Sequence, residues 1–193
     1  MTTDPSLGWE AVAHQFVRIR SSVGAALVRS WARNNLAAKA RIIDIGCGSG
    51  VPVAQALVNE GHEVFGIDAS PSLAAAFERN LPGCPVRCEA VQETDFFGLS
   101  FDAALAIGLV FLLDPDDQKR LIKKVAGALK PRGRFLFSAP RVICEWQDTL
   151  TGRRSVSLGE EAYVQLLETA GFSLWRIQMD EGGNSYFDGE LTL

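Results

Sequence analysis

The segment Ile42-Ile43-Asp44-Ile45-Gly46-Cys47-Gly48-Ser49-Gly50 constrains this chain more than any other. A short apolar run bounded by glycines reads as a strand buried on both faces. The glycines at 46, 48 and 50 remove Cβ atoms where the backbone must turn tightly or let a ligand approach. A helical pattern resumes at Pro52, so the loop delivers the chain to a helix N-terminus with its outward-pointing N–H groups. Asp44 is the odd residue: a carboxylate inside a buried strand is costly without a partner. Strand, glycine loop and helix in this order predict a parallel sheet with right-handed crossovers, and a ligand site beyond the carboxyl ends of its strands.

The remaining pattern agrees. From Trp9 to Arg33, Val12, Phe16, Ile19, Val23, Leu27 and Trp31 recur at helical spacing, with a bend predicted at Arg20 to Gly24. Strands are expected at 41–45, 63–67, 86–90, 101–107 and 134–138. Helices are expected over 52–60, stopped by Gly61, and from Ser70-Pro71 to Asn80, where serine caps and proline takes the first helical position. Another runs from Asp114-Pro115 to about Lys130-Pro131. Ser157 and Glu160 have the spacing of a capping box for a helix reaching Thr169. Residues 172–179 and 185–191 read as an antiparallel pair across the turn 180–184, and 141–151 as a loop carrying Trp146 and Asp148.

Length and charge narrow the functional classes. A chain of 193 residues favours one domain. A net charge of -4 argues against nucleic acid as the main partner, since phosphate binding calls for a basic face. The basic run Lys119, Arg120, Lys123, Lys124 has the spacing of a solvated helix face. No apolar run reaches the roughly 18 residues of a membrane span, and Met1 to Gly8 lacks the pattern of a secretory leader. Cys47, Cys84, Cys88 and Cys144 form no C-x-x-C pair, so free thiols, no metal and a cytoplasmic setting are expected.

The glycine spacing separates two cofactors. A dinucleotide fingerprint, G-x-G-x-x-G counted from Gly46, needs glycine at 51, and that residue is Val51. The observed pattern, an acid in the strand followed by G-x-G-x-G, resembles motif I of the class I S-adenosylmethionine (SAM)-dependent methyltransferases. The resemblance extends from about Arg41 onward and includes the Leu129-Lys130-Pro131-Arg132-Gly133 turn. It implies an α/β, Rossmann-like fold: a seven-stranded, mostly parallel sheet with an antiparallel last strand and helices on both faces. Residues 1–193 would form one domain, with 1–38 as a helical lid and 39–193 as the core. SAM is the implied cofactor and S-adenosylhomocysteine its product. Asp44 would hold the ammonium end, with Gly46, Cys47, Gly48 and Gly50 wrapping the methionine part and the carbonyl of Ile107 nearby. Asp68 and Ala69, at the tip of the second strand, would meet the ribose, although an acid there fits a dinucleotide equally well. Ala90 and Val91 would floor the adenine, and Arg20 would reach the cofactor carboxylate.

Methyl transfer from a sulfonium needs alignment more than covalent help, so a catalytic residue need not be visible in the sequence. None is assigned. His14, Trp146 and Tyr186 are the candidate acceptor contacts, with Asp148 as a weaker one. The expected activity is transfer to a small-molecule acceptor by a monomer or homodimer. The alternatives are a SAM-binding protein without transferase activity and a protein or nucleic-acid methyltransferase.

Overall fold

Three isoleucines explain the centre of the fold. In the computed structural model, which describes residues 4–192, β1 (Arg41–Ile45) buries Ile42, Ile43 and Ile45 almost completely. Ile42 packs with one core cluster and its neighbour Ile43 with another, because successive strand side chains face opposite sides of a sheet. β1 pairs in parallel with β2 (Glu63–Asp68) on one side and β4 (Phe101–Ala106) on the other. β3 (Val86–Cys88) extends the sheet beyond β2, and β5 (Leu129–Ser138) lies beyond β4. β8 (Phe172–Met179) and β9 (Ser185–Leu191) complete the order β3-β2-β1-β4-β5-β9-β8, with β9 antiparallel to both neighbours. The buried pair Arg134–Asp188, 2.6 Å apart, ties β9 to β5.

Helices cover both faces. α2 (Ala25–Asn35), α3 (Val53–Asn59) and α4 (Pro71–Asn80) bury Trp31, Leu57 and Phe77 against one side. α5 (Pro115–Ala128) and α6 (Glu160–Thr169) bury Leu121, Val125, Tyr163 and Leu167 against the other. Ser70 caps α4 by accepting the Leu73 N–H at 3.2 Å, and Asp114 caps α5 by accepting those of Asp116 and Asp117. Such caps are each worth about 1 kcal/mol. α1 (Trp9–Ile19) precedes α2 across the expected bend, lies against α4 and buries only Ala13 of its own residues.

Four local readings need correction. α5 ends at Ala128, because Leu129 already pairs with Phe101 before an irregularity in the β4–β5 register. β3 stops at Cys88, and only Val86–Cys88 pair with β2. Residues 141–151 are no simple loop: β6 (Ile143–Gln147) and β7 (Arg154–Leu158) form an antiparallel hairpin of their own. Ser157 belongs to β7 and makes no capping box. Its hydroxyl donates to the Pro140 carbonyl at 2.7 Å and accepts from the Gly159 N–H, while Gly159, at φ +84°, turns the chain into α6.

Candidate cofactor and acceptor site

The strand order reverses between β1 and β4, and a cavity of about 820 Å³ opens beyond their carboxyl ends. Its floor includes Gly46, Gly48, Asp68, Ala69, Ala90, Val91 and Ile107. Trp9, Phe16 and Arg20 of the α1 segment roof it, and Phe111, Trp146 and Tyr186 close the far side. The volume lies within the ~300–1,000 Å³ of small-ligand sites.

The glycine loop is shaped by bonds to β2. The N–H groups of Gly46 and Cys47 both donate to the Ile67 carbonyl, at 2.8 and 3.0 Å. Gly48, at φ +56°, donates its N–H to Asp68 Oδ2 at 2.8 Å, and Ser70 N–H donates to Oδ1 at 2.9 Å. Asp68 therefore joins the loop to the start of α4, while each oxygen keeps a lone pair for another donor. Burial raises its pKa, and the bonds from Ser70 and Gly48 work against that rise. Gly50 has a different job. A Cβ there would lie 2.7 Å from Leu81 Cδ1 and 2.8 Å from the Phe77 ring, so this glycine admits α4. Cys47 is buried in the same core cluster, and burial pushes its thiol well up. Cys47 and Gly50 thus stand behind the loop, and Gly46 and Gly48 on its cavity side.

Asp44 is 3% exposed, and no described residue donates a hydrogen bond to its carboxylate. Burial first, then the negative Asp68, pushes its pKa from 3.8 up to about 7, with Arg20 acting in the opposite direction. A buried polar group without a partner calls for one. An ammonium group arriving at the glycine loop would satisfy it, so the residues present fit the amino-acid end of SAM. Arg20 lines the cavity with one donor on the Ser21 carbonyl and no carboxylate partner among the described residues.

The roof is fastened at two points. Glu10 of α1 accepts from Ser72 N–H at 3.0 Å, Ser72 hydroxyl at 2.6 Å and the Ser70 hydroxyl, placing a carboxylate at the N-terminus of α4. The Ser70 and Ser72 bonds hold Glu10 below the usual carboxylate range. Phe16 then lies over Gly48, with its Cε1 3.3 Å from where a Cβ would stand, and packs edge-on against Trp9. At the bend, Gly24 N–H donates to Glu181 at 3.3 Å. In the same turn Asp180 accepts from Asn184, Gly182 and, at 3.0 Å, the Tyr186 hydroxyl. Burial and the Asp180 charge raise the Tyr186 pKa, so the phenol keeps its proton.

The sequence candidates divide accordingly. Arg20, Gly46, Gly48, Asp68, Ala69, Ala90, Val91, Ile107, Trp146 and Tyr186 share the cavity, with Asp44 buried beneath. His14 lies on the exposed outer side of α1 and lines no part of it. Asp148 is spent on its own turn, where Oδ1 accepts from Leu150, Thr151 N–H and the Thr151 hydroxyl. Glu10, Phe16 and Phe111 were not singled out by sequence. The first two have a faint signal, an acid and an aromatic on an amphipathic helix. Phe111 has none, since only the hairpin brings it to 5.3 Å from Trp146.

Among the described residues, no group of three or more His, Cys, Asp or Glu gathers to hold a metal, and no helix is long and apolar enough to cross a membrane.

A family model described as a methyltransferase domain matches residues 42–133. The cypemycin N-terminal methyltransferase of a Streptomyces species is 32% identical over 87% of this chain and 71% of its own length. The 18S rRNA (guanine(1575)-N(7))-methyltransferase of Saccharomyces cerevisiae is 31% identical over 66% of this chain, which spans about half (51%) of that protein. A solved structure of the Burkholderia thailandensis 1,6-didemethyltoxoflavin-N1-methyltransferase, with 1,6-didemethyltoxoflavin and S-adenosylhomocysteine bound, superposes with a TM-score of 0.76 at 19% identity, covering 96% of this chain and 84% of that one. With the strand order, the glycine loop and these relatives together, the chain belongs to the class I SAM-dependent methyltransferases.

Proposed function

We propose that the protein transfers the methyl group of SAM to a small molecule held between the glycine loop, α1 and the β6–β7 hairpin. The observation that carries this reading is the enclosure: α1, fastened through Glu10, roofs a mainly apolar space beside the cofactor floor. The bound sulfonium supplies an activated methyl group with a neutral thioether as leaving group. Asp44 holds the ammonium end, Arg20 the carboxylate and Asp68 the ribose diol. Ala90 and Val91 wall the adenine, and the Ile107 carbonyl faces the amino group. Residues 1–38 act as the lid and 39–193 as the core of one domain. Alignment of acceptor and methyl, with water excluded by the lid, contributes several kcal/mol toward the barrier.

The small-molecule class is supported by the bound 1,6-didemethyltoxoflavin of the Burkholderia neighbour and by the net charge of -4. The Streptomyces and yeast relatives extend the range to an N-terminus and to rRNA. The unpaired cysteines favour a cytoplasmic setting, with the protein acting as a monomer or homodimer. The test is incubation with SAM and separate panels of small amines, phenols and thiols, short peptides and RNA, with mass spectrometry of product and S-adenosylhomocysteine. Turnover in the small-molecule panels supports the proposal. Turnover confined to peptides or RNA overturns the acceptor class, and SAM binding without turnover in any panel supports a binder.

A further inference from the structure

We infer that the acceptor is a flat aromatic molecule without a cationic group, whose nucleophilic atom already carries a free lone pair at neutral pH. This rests on the methyltransferase reading above and deepens it.

Shape and surface come first. Beyond the cofactor floor the cavity is walled by Trp9, Phe16, Leu109, Phe111, Leu112 and Trp146. Phe111 and Trp146 lie 5.3 Å apart with their rings tilted by 46°, and Trp9 meets Phe16 at 5.3 Å edge-on. Ring faces and edges of this kind gain most from an offset or edge-on aromatic partner. Val142, also on the wall and 66% exposed, carries the apolar surface out to solvent.

Charge comes second. An aromatic wall alone would also suit a cation. The carboxylates lining the cavity, however, are Asp68 and Glu89, both on the cofactor side. Asp68 is bonded to Gly48 and Ser70, and Glu89 to Thr94 with Arg87 3.8 Å away. The charged side chains on the other walls are Arg20, which faces the cofactor's carboxylate in the reading above, and Arg141, which is paired with Glu160 at 2.5 Å. The nearby acids are occupied as well: Asp148 and Asp180 by donors of their own turns, and Glu181 by the Gly24 N–H. A cationic acceptor would find no free anion to meet it, and an unpaired charge is costly to bury.

Proton chemistry comes third. No histidine lines the cavity, and the Tyr186 hydroxyl already donates to Asp180. Among the described residues, no side chain of the acceptor half is placed to take a proton in the reaction. The acceptor therefore attacks with a lone pair it already has, as an aromatic ring nitrogen or an ionised phenol does. Its lone pair forms the new bond to the methyl carbon, the S–C bond breaks with both electrons left on sulfur, and any N–H proton leaves afterwards to water.

The test loads the protein with S-adenosylhomocysteine and titrates it with 2-naphthol, quinoline, decahydro-2-naphthol and 2-naphthylmethylammonium, following tryptophan fluorescence and calorimetric heat. At least one of the two uncharged aromatics is expected to bind, and the saturated and the cationic analogues at least about tenfold more weakly. Trp146→Ala and Phe111→Ala should each weaken the aromatic ligand about tenfold while leaving S-adenosylhomocysteine affinity unchanged. Binding of the saturated or cationic analogue as tight as that of the aromatics, no binding by either aromatic, or indifference to both substitutions overturns the inference. For acceptors that turn over, the midpoint of the pH–rate profile should follow each acceptor's own pKa, and one common midpoint would also overturn it. Failure of S-adenosylhomocysteine itself to bind is a separate result, and it would remove the methyltransferase reading instead.

Discussion

Cofactor affinity is expected to rise steeply between about pH 5 and pH 7, because in the proposed site Asp44 must lose a proton before it can hold the ammonium group. In the cofactor-free protein its carboxyl is buried, has Asp68 and the Cys47 thiol beside it, and has Arg20 as its cationic neighbour. Burial and Asp68 together carry its pKa from 3.8 to about 7. Well below that value each pH unit costs about 1.4 kcal/mol of binding, or about tenfold, and since Asp44 is half ionised near pH 7 the affinity for S-adenosylhomocysteine should fall about fiftyfold from pH 7 to pH 5. Asp68, also raised by burial, steepens the slope in the same direction. For folding the sign is reversed. A pKa higher in the folded than in the unfolded chain stabilises the cofactor-free protein fully below about pH 4, by on the order of 4 kcal/mol. That contribution is lost as the pH rises through about 7, so stability without cofactor should decline over the range in which affinity grows. Calorimetric titrations at several pH values, in two buffers of different ionisation enthalpy, measure both affinity and proton release. The expected result is release of close to one proton from Asp44 near pH 6 and a shallower slope in Asp44→Asn. Flat affinity over this range, or an unchanged slope in Asp44→Asn, would refute the reasoning.

Other substitutions separate ligand contacts from packing. Asp68→Ala removes the acceptor for Gly48 and Ser70 and, in the proposed site, for the ribose diol, and charged-acceptor bonds of about 2–3 kcal/mol put the expected loss of S-adenosylhomocysteine affinity at about 30- to 150-fold by calorimetry. Gly48→Val pushes a branched side chain toward Phe16 at a left-handed φ, so binding should vanish while circular dichroism still reports the sheet. Gly50→Ala should behave oppositely: strain at φ +77° and the clash with Phe77 and Leu81 cost about 2–4 kcal/mol in denaturant unfolding, with cofactor affinity of the folded protein retained. Glu10→Ala should release α1 from α4, seen as faster amide exchange in residues 9–19 and faster S-adenosylhomocysteine dissociation.

The legible parts of this protein are those written in contiguous residues. The Asp44 strand, the loop at 46–50 and the Ser70-Pro71 helix start each combine a local pattern with a local cause, and each stands where the pattern put it. The cavity floor follows, because strand tips of a parallel sheet are brought together by topology alone. The roof was harder to read. Glu10 caps a helix 60 residues away, and no spacing rule reports a cap supplied by another element. The β6–β7 hairpin was missed because its strands alternate only weakly and pair with each other outside the main sheet. Ser157 and Glu160 had the spacing of a capping box, but Gly159 takes the turn and the Ser157 hydroxyl is committed to Pro140. Gly50 shows the converse: its place in the loop was evident, but the neighbour it makes room for, α4, is visible only in the packing.

The central claim is that the Asp44–Gly48–Asp68 floor is a SAM site. Calorimetric titration of S-adenosylhomocysteine and of NAD into the same protein at about pH 8, where Asp44 is ionised, tests it most directly. Saturable one-to-one binding of S-adenosylhomocysteine, abolished by Gly48→Val, is expected, with no heat from NAD. Saturable NAD binding with no response to S-adenosylhomocysteine would contradict it.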